Sequence, residues 1–158
     1  MIKIAAKNYK DIIWCVADLA RIPFMDKKFD VVLNILSPSN YSEFSRIIHS
    51  NGVLIKVVPD SGYLKELRNA LYQGTRREPY SNEKVINHFK ENFKITAAQK
   101  VLYNVPVSRE DLGCLIKMTP LSWRVTEETI RKVLDSGIDS ITADFTVIVG
   151  KSKSSNFP

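Results

Sequence analysis

The stretch FDVVLNILSPSNYSEFSRIIHSNGVLIKVV, residues 29–58, decides the fold class. It contains two continuous apolar runs of strand length, 29–36 and 52–58, which are typical of strands buried on both faces of a sheet. The segment between them has apolar residues at helical spacing, and Asn51-Gly52 is a helix-stop signal. These apolar residues are Phe44, Ile47 and Ile48. A strand, a helix and a strand of these lengths predict a βαβ unit with parallel strands.

The flanking sequence continues the alternation of strands and helices. IIWCVA, residues 12–17, has the length and apolar character of another buried strand. FKITAAQKVLYNVPV, residues 93–107, alternates more and carries Pro106 near its end, so we expect a strand near the sheet edge. ITADFTVIVG, residues 141–150, is predicted to be the last strand. The pattern indicates an α/β sheet sandwiched by helices.

Local signals place the helices after the βαβ unit. Ser61 is a candidate cap for a helix whose buried stripe is Leu64, Leu67 and Leu71, with Gly74 at its end. Ser108 and Asp111 are spaced as a capping box, and Thr126 is placed to cap the following helix. We therefore predict one domain over residues 1–150, with a helical insertion at about 108–137 before the last strand. The tail, residues 151–158, is predicted to be disordered.

Bulk composition excludes several classes of protein. The chain has 158 residues, 44% of them hydrophobic, and no apolar run approaches the roughly 20 residues of a membrane span. Cys15 and Cys114 are too few and too far apart for a disulfide framework or a zinc cluster, so we expect no metal, two small buried thiols and a cytoplasmic protein. The net charge of +6 is compatible with a polyanionic partner but does not require one.

Four segments in order resemble a known enzyme family. They are ADLARIPF at 17–24, FDVVLNILSP at 29–38, NGVLIKVVP at 51–59 and MTPLSWR at 118–124. The first three resemble the second half of class I methyltransferases, which have a Rossmann-like sheet. The fourth, a Met-Thr-Pro closely followed by Trp-Arg, resembles the ribosomal large-subunit RNA (guanine-N1-)-methyltransferases. The resemblance implies a cytoplasmic, S-adenosylmethionine (SAM)-dependent enzyme that methylates guanine N1 in ribosomal RNA.

The sequence also departs from that family. Its members begin with a cysteine-rich zinc module, followed by a glycine-rich loop and an acidic residue that bind the cofactor. This sequence has six glycines without a G-x-G pair, and it has no CxxC. We therefore expect the chain to correspond to the C-terminal part of the catalytic domain, with an incomplete SAM site and little or no activity alone.

The resemblance implies roles for residues near the ends of two predicted strands. Asp18 and Leu19 would contact the adenine of SAM, although an isolated aspartate at this place is more often a solvated turn residue. Asn34, Ser37 and Pro38 would lie beside the transferable methyl and orient the acceptor, with Asn34 also contacting the cofactor. The alternative for Asn34 is a hydrogen-bonded amide in the core.

The MTPLSWR segment supplies the candidate contacts to substrate or RNA: Thr119, Pro120, Trp123 and Arg124. A tryptophan can stack on an extruded base, and an arginine can pair with a phosphate. For Trp123 we favour packing of the insertion onto the domain, and for Arg124 we favour contact with RNA.

Two other functions stay open. The chain could bind RNA or a partner without catalysis, and unpaired sheet edges could then form a homodimer that completes the sheet. It could also be a class I methyltransferase that acts on a small molecule, because this fold serves many acceptors.

Overall fold

Four strands form one sheet in the computed structural model, which describes residues 2–72, 80–123 and 125–153. The strands are β1 (Phe29–Ile35), β2 (Ile48–Pro59), β3 (Phe93–Pro106) and β4 (Ser140–Ser152). Their order is β1-β2-β4-β3; β1 and β2 are parallel, and β4 is antiparallel to both of its neighbours. The predicted βαβ unit and the edge position of β3 are therefore confirmed.

Six α-helices and one 3-10 helix connect or flank these strands in the described part of the chain. They are α1 (Ile2–Asn8), α2 (Tyr41–Ile47), α3 (Lys65–Leu71), α4 (Glu83–Asn92), α5 (Arg109–Met118), the 3-10 helix Pro120–Ser122 and α6 (Glu127–Leu134). The last three form the helical insertion between β3 and β4, as predicted. Ser108 and Asp111 form the predicted capping box at α5, and the Thr126 side chain caps α6.

Two hydrophobic clusters hold the layers together. One joins α2 and α4 to the sheet and consists of Tyr41, Phe44, Ile48, Leu54, Val58, Phe89, Phe93 and Ile148. The other joins α3 and the insertion to β4 and consists of Leu64, Leu67, Leu71, Leu112, Ile116, Val133 and Ile141. The predicted leucine stripe of α3 is thus buried, and the insertion is packed onto the domain.

The prediction of a strand at residues 12–17 is wrong. The segment has no strand pairing, and its apolar side chains lie in solvent, with Ile13 at 88% exposure. An extended segment becomes a strand only where a neighbour satisfies its backbone hydrogen bonds. Within the described residues, β1 pairs with β2 alone, so hydrophobicity at 12–17 is not matched by a partner.

Two local signals have a different physical basis from the one predicted. α2 ends at Ile47, and Asn51-Gly52 lies inside β2. Gly52 is needed for close strand approach, because a Cβ there would lie 2.6 Å from the carbonyl oxygen of Asp30. Ser61 does not cap α3, whose N-cap is Leu64 without a side-chain hydrogen bond. Gly74 lies outside the described residues.

The predicted burial of both cysteines is also wrong, since Cys15 and Cys114 are exposed. Cys15 lies in the unpaired segment, and Cys114 lies between the core-facing Leu112 and Ile116 of α5, so it points away from the core. β4 runs to Ser152, two residues beyond the predicted end, and residues 154–158 lie outside the description. In the described residues, no helix is long and apolar enough to cross a membrane.

Candidate functional site

The side chain of Asn34 holds the loop after β1 through hydrogen bonds, and this residue is 5% exposed. Its Nδ2 donates to Oγ of Ser37 at 2.7 Å and to the carbonyl oxygen of Pro38 at 2.9 Å. Its Oδ1 accepts from Oγ of Ser39 at 3.2 Å and from Nζ of Lys56. Both amide protons and both acceptor positions are therefore engaged inside the protein. The side chain has the contacts of a core amide that shapes the loop.

Lys56 is the residue of this site that the sequence did not indicate. It lies opposite Asn34 in the β1–β2 register and is 3% exposed. Its ammonium donates to Oγ of Ser39 at 2.6 Å, to Oδ1 of Asn34 and, at 3.4 Å, to the carbonyl oxygen of Ser37. Within the described residues no carboxylate pairs with it, and burial lowers the pKa of this ammonium. The only signal was a lone lysine in an apolar strand.

The backbone turns sharply at Leu36, directly after β1. Leu36 has φ of 50°, a left-handed conformation that costs free energy for a residue with a Cβ. Its amide donates to the carbonyl oxygen of Val57 at 3.1 Å, which ties the turn to β2. The turn directs Ser37 and Pro38 toward the insertion.

A cavity of about 580 Å³ joins the loop after β1 to the insertion; we call it the inner cleft. Ser37, Pro38 and Lys56 line one side, and Thr119 and Pro120 line the other. The remaining wall is mostly apolar and comes from the end of β2, from Tyr63 before α3, and from α4 and α5. The structure thus brings together two groups of candidate residues that lie about 80 positions apart in the sequence.

The insertion reaches the inner cleft through its 3-10 helix. Thr119 caps that helix, with the Leu121 amide 3.4 Å from its Oγ1, and this places Pro120 at the cleft. Trp123 follows directly and is 77% exposed, so the interpretation that it packs the insertion onto the domain is wrong. An exposed indole is available to a ligand. Arg124 lies outside the described residues.

A second cavity, of about 420 Å³, lies where the segment around Leu19 meets the start of α2. Leu19 and Ala20 line one side, and Ser39 and Asn40 line the other. Nδ2 of Asn40 donates to the carbonyl oxygen of Leu19 at 3.2 Å. Leu19 and Ala20 therefore share this cavity with Ser39 and Asn40, whereas Asp18, Ser37 and Pro38 are not among its lining residues. Asp18 itself is exposed, and its Oδ1 accepts from the amide of Ala20 at 2.9 Å.

Glu43 and Arg46 of α2 hold the segment around Leu19 in place. Glu43 accepts from the Ile22 amide at 2.8 Å, while Arg46 donates to the carbonyl oxygens of Ile22 at 2.9 Å and Phe24 at 2.7 Å. The hydrogen bond from Arg46, followed by that from the Ile22 amide, lowers the pKa of Glu43 to about 2. These contacts span more than 20 residues of sequence, and no local pattern indicated them.

The chain is similar to curated proteins that are named RNA methyltransferases. No protein-family model matches it. YxjB of Bacillus subtilis (strain 168), provisionally named 23S rRNA (guanine-N(1)-)-methyltransferase, is 41% identical over 92% of this chain and 52% of its own length. The 23S rRNA (guanine(748)-N(1))-methyltransferase of Streptomyces fradiae is 25% identical over 81% of this chain and 46% of its own length. The chain spans about half the length of these curated relatives.

Solved structures agree on the fold. A provisionally named methyltransferase from Bacillus halodurans C-125 matches with a TM-score of 0.57 at 14% identity, covering 95% of this chain and 78% of that one. A SAM-dependent methyltransferase from Thermotoga maritima matches with a TM-score of 0.51 at 17% identity, covering 97% and 69%. The resemblance is thereby confirmed: the chain has the fold of class I methyltransferases and is a homologue of proteins named 23S rRNA (guanine-N1-)-methyltransferases.

Proposed function

We propose that this chain carries the acceptor side of a SAM-dependent methyltransferase that modifies guanine N1 in 23S ribosomal RNA, in the cytoplasm. The observation that supports this most is the inner cleft, where Ser37 and Pro38 face Thr119 and Pro120 above the buried Lys56. The names of the homologues supply the reaction and the RNA substrate. The chain covers only about half of those proteins, so the activity of the whole enzyme is part of the proposal.

The described residues fit one end of the cofactor. Asp18 uses Oδ1 for the Ala20 amide, and its exposed carboxylate can still accept from the adenine amine, with the half-buried Leu19 beside the ring. The turn at Leu36 would place Ser37 and Pro38 near the methyl group. When bound, SAM supplies an electrophilic methyl. The sequence holds no G-x-G loop, so the methionine end has no comparable set of donors here.

We infer from this that the chain alone binds SAM weakly or not at all. Isothermal calorimetry with the isolated chain is expected to give an affinity weaker than micromolar. A micromolar dissociation constant would contradict an incomplete site. Asp18→Asn is informative in a protein that does bind SAM, where it should weaken the affinity, because it preserves the side-chain shape while removing the charge that the adenine amine would meet.

The acceptor chemistry needs alignment and loss of one proton. Guanine N1 would release its proton to solvent, so negative charge grows on N1 and O6. N1 would then gain the methyl as the sulfur–methyl bond of SAM breaks, with the electron pair of that bond staying on the departing sulfur. The Lys56 ammonium lies beneath the loop, and its charge is little screened there because the site is buried. We propose that Lys56 favours the deprotonated guanine, while Asn34 keeps Ser37 and Pro38 in position.

RNA contact is proposed for the exposed Trp123 and the neighbouring Arg124, in the middle of the insertion. A guanine in a helix hides its N1 in the base pair, so the base must be unstacked or lie in a loop. Trp123, which is exposed beside the 3-10 helix, can stack on a neighbouring base, and Arg124 is proposed to contact a phosphate.

A chimera tests the proposed function directly. Residues 4–150 would replace the matching part of the B. subtilis relative, and the product would be incubated with 23S RNA and SAM. Nucleoside mass spectrometry should detect N1-methylguanosine. The Lys56→Met variant should have a lower kcat, with a smaller change in KM. A folded chimera that binds SAM yet methylates no guanine, or methylates only small acceptors, would refute the assignment.

We also propose that the isolated chain self-associates through β1. Its side chains Val31, Leu33 and Ile35 are 48%, 62% and 56% exposed, and in the described residues its outer edge has no strand partner. Such an edge with an apolar face favours pairing with a second copy. Light scattering should show a dimer that Leu33→Lys converts to monomer. A wild-type monomer at high concentration would exclude this.

A further inference from the structure

The inner cleft continues into a second compartment, which we call the outer cleft. It measures about 300 Å³ and adds Arg68, Tyr80 and Leu121 to the lining. Pro59, Tyr63, Thr119 and Pro120 line both compartments. The two compartments adjoin, because they share these four lining residues. A ligand larger than one base can therefore occupy both compartments at once.

The outer cleft has the composition of a site for a planar apolar ring. Tyr63 and Tyr80 lie at the cleft together with Pro59 and Pro120. In proteins that bind single-stranded RNA, the faces of aromatic side chains stack on the faces of the bases, and this stacking tolerates any base. Burial raises the pKa of both phenols, so they stay neutral at physiological pH and do not repel a phosphate.

Arg68 adds a cation at the same compartment. Its Nη2 donates to the carbonyl oxygen of Ser61, which orients the guanidinium. Within the described residues no acidic side chain forms an ion pair with it, so its remaining donors are available. A planar guanidinium with free donors matches the paired oxygens of a phosphodiester.

The Tyr63 side of the compartment is rigid. The Gly62 amide donates to Oδ2 of the buried Asp144 at 2.9 Å, and the Tyr63 amide donates to the carbonyl oxygen of Asp60 at 3.0 Å. The Tyr63 ring lies 5.0 Å from that of Phe145, centroid to centroid. A ring held from both backbone and side chain loses little freedom on binding, which favours recognition of a weak ligand.

We propose that the outer cleft binds the nucleotide adjacent to the target guanine in single-stranded RNA, with Tyr63 and Tyr80 against its base and Arg68 against its phosphodiester. This inference rests on the proposed function, since the guanine occupies the inner cleft. It makes the minimal ligand a dinucleotide and not a single nucleotide. It also assigns selectivity for unpaired RNA to the cleft itself, because a base in a helix cannot enter.

Dinucleotides that contain guanosine and the fluorescent base 2-aminopurine riboside, in both orders, test the proposal with the full chain. One order should bind several-fold more tightly than guanosine monophosphate and quench the fluorophore by stacking. Tyr80→Leu should abolish the quenching, and Arg68→Met should lower affinity and reduce its salt dependence. Tyr103→Leu, a substitution of a half-exposed tyrosine on β3 outside both compartments, should change neither.

The outcomes separate this inference from the proposed function. In one outcome, guanosine monophosphate shifts the NMR signals of Thr119 and Ser37, but dinucleotides bind no more tightly and their fluorescence is not quenched. This outcome overturns the proposal for the outer cleft alone. Binding of free 2-aminopurine riboside as tight as that of the dinucleotides also overturns it, since the site would then take any small aromatic ring. Absence of binding by every guanine compound contradicts both proposals. Circular dichroism of each variant distinguishes lost folding from lost contact.

Discussion

The two sides of the candidate site are held by different means. The loop after β1 is fixed from inside the protein, by the buried pair Asn34 and Lys56. The segment around Leu19 is held by hydrogen bonds from Glu43 and Arg46, two partly exposed side chains of α2. Buried hydrogen bonds are insensitive to salt, whereas exposed ion pairs are screened. The proposed acceptor side therefore rests on buried hydrogen bonds, and the proposed cofactor side rests on a partly exposed network.

The largest expected effect comes from breaking the buried pair. Asn34→Leu removes an acceptor of the Lys56 ammonium and leaves that charge under-satisfied in the core. We expect the free energy of unfolding to fall by about 2–4 kcal/mol, measured by urea denaturation. Lys56→Met combined with Asn34→Leu should recover part of the loss, because the uncompensated charge is then absent. Additive losses in the double variant would show that the two residues do not act as a unit.

A smaller and local effect is expected for Arg46→Met. The substitution removes the donors to the Ile22 and Phe24 carbonyl oxygens, so the segment around Leu19 should open without global unfolding. Hydrogen exchange should accelerate at the amides of Ala20, Arg21, Ile22 and Phe24 and stay unchanged in β2 and β4. Arg131→Met, which changes a solvent-exposed arginine on α6, is the matched control. Equal acceleration across the sheet would contradict the separation of the two sides.

The contrast also explains what the sequence could predict. Apolar runs at 29–36 and 52–58 and the Ser108–Asp111 capping box are local patterns, and each became the expected element. The expectation that β1 is buried on both faces is wrong, because Val31, Leu33 and Ile35 leave one face exposed where no further element covers it in the described residues. The role of Lys56 depends on the register between two strands, and that of Arg46 on contacts more than 20 residues away. Residues 12–17 show the reverse: a correct local pattern without the neighbouring strand that it needs.

The stability that the buried pair Asn34 and Lys56 contributes should also change at alkaline pH. Burial lowers the pKa of Lys56 in the folded protein below its value of 10.5 in the unfolded chain. Between these two values the unfolded state binds more protons, so stability contributed by this group rises as the pH increases through the folded pKa. Buried tyrosines oppose the trend, so the informative quantity is the difference between wild type and Lys56→Met. That difference should shift in favour of wild type from neutral pH to pH 10; a constant difference would mean that the ammonium titrates normally.

The smallest effect is expected on the opposite side and at the opposite end of the pH scale. The pKa of Glu43 is about 2 when folded and 4.5 in its ordinary state, so its contribution is complete above pH 4.5 and disappears as the pH falls toward 2. Exchange of the Ile22 amide should accelerate over this interval before the sheet unfolds, and Glu43→Gln should show the faster exchange already at neutral pH. High salt should reproduce part of the effect, because the Glu43–Arg46 pair is still partly exposed to solvent. If salt and acid leave this amide protected while Arg46→Met exposes it, the carbonyl contacts of Arg46, and not the ion pair, hold the proposed cofactor side.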